Sequence, residues 1–498
     1  PTMSVALLLE MAASDPDRVG VVSDDQRLTV GELNALADGG AGVIAGTGAN
    51  SVVYVGTGGL MLPLLIFASA RAARPFTPLN YRLSAEALAE LVGRLPEPLV
   101  VFDAEYAEVA AGLGVSRMES ADFLAAAGEA EPVAEFPDPD DVAVVLFTSG
   151  TTSRPKAVEL SHNNLTSYVT GTVEFASAEP GDAALICVPP YHIAGVGAAL
   201  SNLYAGRKMV YLTRFEPREW IRLAQREAVT SATVVPTMLD RIITELEADP
   251  VPLPALRTLA YGGSKVALPL VRKALELLPE VGFVNAYGLT ETSSTIAVLT
   301  PEDHRAAHAA EHEPTRRRLG SVGQPVPGIE VQIRAEDGTV LGPEEVGELF
   351  VRGDQVSGKY AEIGSVLDDE GWFPTKDVAY LDADGYLFIG GRSDDTIIRG
   401  GENIAPAEVE DVLVEHPHVR DVAVVGVEDA EWGQIMVAVV VPVAHITPDP
   451  EDLRAHVRQH LRGSRTPDRV VFRHELPTTP TGKVLRRQLA DELKSPTT

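Results

Sequence analysis

Cysteine is almost absent from this chain: Cys187 is the only one in 498 residues. A single thiol excludes an internal disulfide and any metal site built from several cysteines. Its neighbours Leu185, Ile186 and Val188 mark it as a buried strand residue with no catalytic part. Long apolar runs are lacking as well. The longest candidate, Val52 to Ala70, is interrupted by three glycines and a proline; a membrane helix needs about 18 or more uninterrupted apolar residues, so this stretch reads as strand, turn and helix. The first residues do not follow the basic-then-apolar layout of a secretion signal, and a cytoplasmic protein is expected. Cations are scarce: 41 Lys and Arg stand against 71 Asp and Glu, a formal net charge of −30. That balance argues against nucleic acid or an anionic membrane as partner. Any phosphate-bearing ligand must then be met by a few cations gathered at one place.

The length exceeds what one core accommodates, so about two to four domains or subdomains are expected. The first 45 or so residues read as helical, with Thr29 a cap ahead of GELNALADG. Val52 to Val55, Pro75 to Pro78 and Leu99 to Phe102 are short apolar runs between helical patterns, which suggests a parallel sheet with crossover helices. Residues 103 to 141, rich in Ala, Glu and Pro, read as surface connection. A second α/β unit follows, with strands at Ala184 to Val188, Lys208 to Leu212, Ala232 to Val235, Thr258 to Tyr261 and Gly282 to Asn285. From Gly323 to Val351, and again from Gly371 to Arg392, short alternating strands with Gly and Pro turns form a small β-rich subdomain, with Asp382 to Gly385 as a hairpin turn. A compact module closes the chain: helix Pro406 to Glu415, strands Val419 to Val427 and Ile435 to Val443, helix Pro450 to Leu461, strand Arg469 to Phe472, then a loop and helix. The fold class is α/β: a large N-terminal domain of two α/β subdomains plus a small β-rich one over residues 1–392, a hinge at 393–395, and a small α+β C-terminal domain over 396–498.

The stretch Leu146 to Lys156, LFTSGTTSRPK, packs Thr148, Ser149, Thr151 and Thr152 around Gly150 and ends on Arg154 and Lys156. A β-branched run precedes it and a strand follows, Ala157 to Leu160, with Ser161 capping a helix over Asn163 to Thr172. Hydroxyls, unpaired N–H groups and a lysine on a loop suit the β- and γ-phosphates of a nucleotide, since each donates to phosphate oxygen. This is not a Walker loop, because Pro155 precedes Lys156 and a strand follows it.

TSGTTSRPK resembles the phosphate signature of the acyl-adenylate-forming superfamily, which includes acyl- and aryl-CoA ligases, adenylation domains and luciferases. Two positions depart from it: Ser153 and Ala157 stand where glycine is usual, which suggests a stiffer loop. Further motifs follow in the order the resemblance requires. PPYHIAGV, from Pro189, is similar to the segment beside the carboxylate pocket and makes His192 either its gate or a packed core residue. YGGSKVALP supplies Gly262, Gly263 and Ser264, where adenine and the acyl chain approach backbone. NAYGLTETS supplies Asn285, Ala286, Tyr287 to stack on adenine, Gly288, Thr290 to donate to the α-phosphate, and Glu291 to hold Mg²⁺. Asp377 and Arg392 fit the ribose-binding pair. The resemblance usually has glycine where Lys376 stands; that lysine either reaches phosphate or is solvated. Gly400 and Gly401, in RGGENIAPAEVE, imply a narrow path for a pantetheine arm, and Lys483, in PTTPTGKVLRR, matches the catalytic lysine.

What the resemblance implies is an ATP-dependent acyl-CoA ligase. A carboxylate attacks the α-phosphorus of ATP, with Mg²⁺ bound, giving acyl-AMP and pyrophosphate; the thiol of coenzyme A then takes the acyl group. The mobile C-terminal domain turns between the two steps about a pivot near Asp394. Arg82 and Arg465 are the cations for the CoA nucleotide, although Ser464 and Asp468 stand where an aromatic and a cation are common. The alternative acceptor is the phosphopantetheine of a carrier protein. The small-molecule acid would meet Tyr191, His192, Gly195, Pro236, Gly263, Ser264 and Thr295, while Lys265 either meets a second polar group or is solvated. No aspartate is placed to hold an α-amine, which favours a carboxylate with an apolar body.

Overall fold

The structure, a computed structural model, describes residues 3–148 and 154–494. Among these, four sheets form, of nine, eight, four and five strands. The eight-stranded sheet has the parallel strands Ser51–Val55, Phe76–Leu79 and Pro98–Phe102 at its heart, buried along their whole length. Beside them Val142–Phe147 and Ala157–Ser161 pair antiparallel and carry the two ends of the hydroxyl-rich loop. The nine-stranded sheet aligns Ala183–Ile186, Lys208–Tyr211, Ser231–Val234, Thr258–Gly262 and Gly282–Leu289 in parallel.

Helices Met61–Arg71 and Ile193–Ala205 share one apolar cluster with faces of both sheets. Every residue of Met61–Arg71 is buried, including its charge. Arg71 tolerates this because it donates to Asn34 O at 2.8 Å and pairs with Asp38 at 3.0 Å.

Two expectations fail here. The first 45 residues are not all helical: Val19–Ser23 and Gln26–Thr29 form a hairpin that extends the nine-stranded sheet alongside Lys208–Tyr211. Thr29 does cap the helix Val30–Thr47, in a reciprocal capping box with Glu32. Residues 103–141 are more than surface connection. Helix Ser120–Glu129 buries Phe123 and Ala127, and a Cβ on Gly39 of Val30–Thr47 would lie 1.8 Å from Ala127 O. The alanines and glycines that look featureless in sequence are what allow the two backbones to approach.

The four-stranded sheet is the expected β-rich subdomain. In the C-terminal α+β domain, Val419–Asp429 and Gly433–Pro442 pair antiparallel, and Arg469–Phe472 joins them in parallel. Helices Pro406–Leu413 and Pro450–His460 cover one face, and Arg486–Glu492 covers the other. Among the described residues no helix is long and apolar enough to cross a membrane.

Candidate active site

The parallel strand Gly282–Leu289 runs four residues past its expected end and brings Tyr287 to the rim of its sheet. There the Tyr287 hydroxyl donates to Asp377 Oδ2. Asp377 lies on Phe373–Leu381, directly across from Arg392 on Leu387–Arg392. Arg392 Nη1 donates to Asp377 Oδ1 at 3.2 Å and to Thr375 O at 2.6 Å. Burial works against the Arg392 charge, but Asp377 outweighs it and raises the guanidinium above its ordinary value. Tyr287 is held well up by burial and by the same carboxylate, so the phenol stays protonated. The three residues expected around an adenosine are therefore in one bonded group.

Glu291 sits in the turn Thr290–Thr292. Immediately after it Ser293 and Ser294 have φ of 58° and 100°, a backbone region costly for residues with a Cβ. The strain is held by the buried side chain of Gln355, whose Nε2 donates to Thr292 O at 3.0 Å and to Thr295 O at 2.9 Å. The glycines serve packing as much as ligand access. A Cβ on Gly262 would lie 2.2 Å from Ala286 O, one on Gly288 2.0 Å from Ser294 O, and one on Gly195 2.6 Å from Pro189 O. Gly263 instead needs its φ of 88°. Asn285 spends its amide on Ser321 O at 3.2 Å.

Lys483 enters from the C-terminal domain. Its loop is closed by Thr479 N–H donating to Lys483 O at 2.7 Å and by Lys483 N–H donating to Thr479 Oγ1 at 3.1 Å. Gly482, at φ 86°, lets the loop settle on the N-terminal domain: a Cβ there would meet Ser264 Oγ and Thr237 Oγ1 at 3.5 Å. The side chain keeps an exposed flank, but its ammonium is crowded. Burial lowers it below the ordinary lysine value, Asp377 and Glu291 oppose the shift, and Arg392 adds to it.

His192 feels Lys483 in turn: burial, reinforced by that ammonium, pushes the imidazole down to about 3. As the N-cap of Ile193–Ala205 it accepts Ala194 N–H at Nδ1, 3.1 Å away. A neutral ring that accepts at Nδ1 carries its proton on Nε2, which makes His192 a hydrogen-bond donor and not a base.

At the stem of the hydroxyl-rich loop Thr148 N–H donates to Lys156 O at 2.9 Å and Lys156 N–H to Thr148 Oγ1 at 3.0 Å. Ser149, Gly150, Thr151 and Thr152 lie outside the described residues, as does Ser153. Ala157 starts an ordinary strand, so a Cβ costs nothing there. Arg154 pairs with Glu90. Lys376 has a φ of 65°, the conformation that explains a usual glycine, and its side chain is exposed.

The residues expected at the thiol site are not gathered here. Gly400 and Gly401 form the exposed tip between Ile397–Arg399 and Glu402–Ile404. Arg465 is held within the C-terminal domain by Glu402 at 2.7 Å and Glu408 at 3.4 Å. Arg82 borders a cavity of about 470 Å³ that also touches Thr57, Pro190, Met238 and Pro480. Lys265 keeps part of its side chain in solvent, but its ammonium crosses to the C-terminal domain, where it pairs with Asp411 at 2.6 Å and donates to Ala407 O at 3.3 Å.

Residues 8–361 match the AMP-binding enzyme family, and residues 408–483 match the AMP-binding enzyme C-terminal domain. The chain belongs to the AMP-binding enzymes. A feruloyl-CoA synthase of an Amycolatopsis species is 33% identical over 96% of both chains. A fatty acid–[acyl-carrier-protein] ligase of Streptomyces coeruleorubidus is 31% identical over 96% of this chain and 94% of the relative. The o-succinylbenzoate CoA synthetase of Bacillus subtilis, solved with its acyl-adenylate, is 28% identical over 97% of both chains with a TM-score of 0.84. Its complex with ATP and magnesium ion aligns at 27% identity over 97% and 98%, with a TM-score of 0.82.

For an AMP-binding enzyme the donor set fits Mg²⁺ in one particular way. Among the described residues no three His, Cys, Asp or Glu side chains gather as a metal cage. Glu291 has one oxygen, Oε2, bonded to the Tyr360 hydroxyl at 2.8 Å. A cation held by the other oxygen and by phosphate oxygens is the arrangement Mg²⁺ adopts with nucleotides. Three residues escaped sequence reasoning: Tyr360, Gln355 and Trp432. The last is 47% exposed, beside Gly400, whose N–H donates to Trp432 O at 3.0 Å. Each owes its place to pairing across a long sequence distance.

Proposed function

We propose that this chain is an AMP-forming acid–thiol ligase that joins an organic carboxylic acid to coenzyme A at the expense of ATP. The observation that carries the reading is the bonded group Tyr287–Asp377–Arg392, with the loop of Lys483 settled against Ser264 and Thr237 so that its ammonium feels the charges of Asp377 and Glu291. In the first step a carboxylate oxygen bonds to the α-phosphorus and the bond from that phosphorus to the bridging oxygen breaks, releasing pyrophosphate. Charge accumulates on phosphate oxygens, and fixed donors are what lower such a barrier. Tyr287, Asp377 and Arg392 orient the nucleoside, Lys156 and Thr148 meet the outer phosphates, and Lys483 draws the carboxylate and α-phosphate together. Mg²⁺ at Glu291 supplies further positive charge to the phosphates. His192 Nε2–H orients the carboxyl group from the other side.

In the second step the thiol sulfur attacks the acyl carbonyl, the thiol proton is lost to solvent, and AMP leaves with the former carboxylate oxygen. Lys483 occupies the approach while it contacts the site. We therefore take residues 393–395 as the hinge between an N-terminal body, 1–392, and a C-terminal one, 396–498, with Asp394 as pivot. A turn of the latter would withdraw Lys483 and present Gly400, Gly401 and Trp432. The cavity bordered by Arg82 and Pro480 supports a thiol path on this side, and the exposed indole offers a face for the CoA adenine. Use of ATP and CoA fits a cytoplasmic setting.

The test is a pyrophosphate-release screen with aryl and aliphatic acids, followed by addition of CoA or a phosphopantetheinyl carrier protein. Acid-dependent release and a CoA thioester are expected. Acyl transfer to the carrier alone would replace the acceptor, and no release with any acid would overturn the reading.

A further inference from the structure

Residues 357–362 carry no motif, yet they tie together two parts of the site that are about 135 residues apart in the chain. Ser357 and Gly358 N–H both donate to Glu291 O, at 2.8 and 3.3 Å. Tyr360 then pairs in register with Val158 on Ala157–Ser161, the strand that Lys156 leads into. Ala361 N–H donates to Ala157 O at 2.9 Å, and Glu362 Oε1 accepts Ala157 N–H at 3.0 Å. One end of the segment is thus fixed to the Glu291 turn and the other to the stem of the phosphate loop.

Within it one side chain reaches both functional groups. The Tyr360 hydroxyl donates to Glu291 Oε2 at 2.8 Å, and Lys156 Nζ lies 5.3 Å from the centre of the Tyr360 ring. That separation is within the range in which an ammonium is drawn to an aromatic face. Tyr360 is 8% exposed. A carboxylate oxygen can only accept, so the phenol is the donor in this bond.

We propose that Tyr360 is a positioning residue for adenylation, which fixes the Glu291 carboxylate and the Lys156 ammonium relative to each other. Its hydroxyl occupies Oε2, so Oε1 is the oxygen left for a divalent cation. Its ring keeps the lysine from folding onto that carboxylate and neutralising it. The inference rests on the reading of Glu291 as the Mg²⁺-holding carboxylate.

The experiment is calorimetric binding of ATP to the full chain across a Mg²⁺ titration, without acid, for the native protein, Tyr360→Phe and Glu291→Gln. A hydrogen bond to a charged group is worth enough that Tyr360→Phe should raise the Mg²⁺ concentration needed for half-maximal binding about tenfold. ATP affinity without Mg²⁺ should not change, nor should thioester formation from supplied acyl-AMP and CoA. If Glu291→Gln shifts the Mg²⁺ requirement and Tyr360→Phe does not, the role of Tyr360 is overturned and the Glu291 reading stands. If Glu291→Gln leaves the requirement unchanged, both fall. If Tyr360→Phe weakens ATP binding equally with and without Mg²⁺, the residue serves packing and the proposal is also overturned.

Discussion

Replacing Lys483 by alanine removes the ammonium that feels the charges of Asp377, Arg392 and Glu291. Loss of one positioned donor of this kind slows a step by about 10²–10³-fold. Acyl-AMP formation should fall by that amount, while thioester formation from supplied acyl-AMP should hardly change; an equal loss in both half-reactions would contradict a lysine that serves one step. The histidines give a different expectation. Burial lowers His162 to about 4 and His192 to about 3, so both are neutral when folded and charge more readily in the unfolded chain, near pH 6.5. The stability they support is present above about pH 6.5 and is lost as pH falls toward those lower values. Urea midpoints should therefore drop between about pH 7 and pH 4.5. His162→Asn should flatten that drop, because its Oδ1 can accept the Val5 N–H now bonded to Nδ1; an unchanged slope would remove His162 from the account. A local motif singles out Asp377 and Arg392 together, and the structure bonds them to each other. Lys265 is not legible in this way, since its partner Asp411 stands on another domain, and no local pattern encodes that meeting.

Strands and helices were legible where periodicity was strong. Val142–Phe147 and Arg469–Phe472 end where the apolar runs end, and Ser161 caps the next helix with its side chain. The hairpin Val19–Ser23 and Gln26–Thr29 was missed although two aspartates mark its turn, because each strand is too short to set a period against the helix that follows. The helix Ser120–Glu129 was missed because alanine is as common on surfaces as inside. The turn at Glu291 shows a further limit, since two serines at positive φ leave no trace in a sequence of ordinary residues. Gln355 holds that turn from a distant loop. Gln355→Leu leaves one buried and one partly buried carbonyl without this donor, the buried one at a cost of about 1–3 kcal/mol. Faster amide hydrogen exchange confined to residues 290–295, with a lower adenylation rate, is the expected outcome. Unaltered exchange there would show that the turn holds its own shape.

Between the domains, helix Pro406–Leu413 and the residues after it meet the N-terminal body through charges. Lys265 meets Asp411, and Arg272 pairs with Glu415 at 2.9 Å. Behind them the buried carboxylate of Glu410 is held by Arg486 at 2.8 Å, three residues beyond Lys483. The half-exposed outer pairs are each worth only about 0.5–1 kcal/mol, weak enough to break in the domain turn proposed above. Removing both, as Lys265→Ala with Arg272→Ala, should lower the adenylation rate about five- to thirtyfold at low salt and leave the thiol step untouched or faster. Added salt should bring the native protein toward the variant; a variant indistinguishable at every ionic strength would mean that the pairs do not hold this orientation.

Tryptophan is rare in this chain, with three in all, and two of them, Trp220 and Trp372, are 0% and 3% exposed. Trp432 alone faces solvent, on the C-terminal domain. The protein thus carries its own optical reporter: a quencher dissolved in the buffer acts on one indole, and the emission lost to it would follow the proposed turn of that domain, with no label attached.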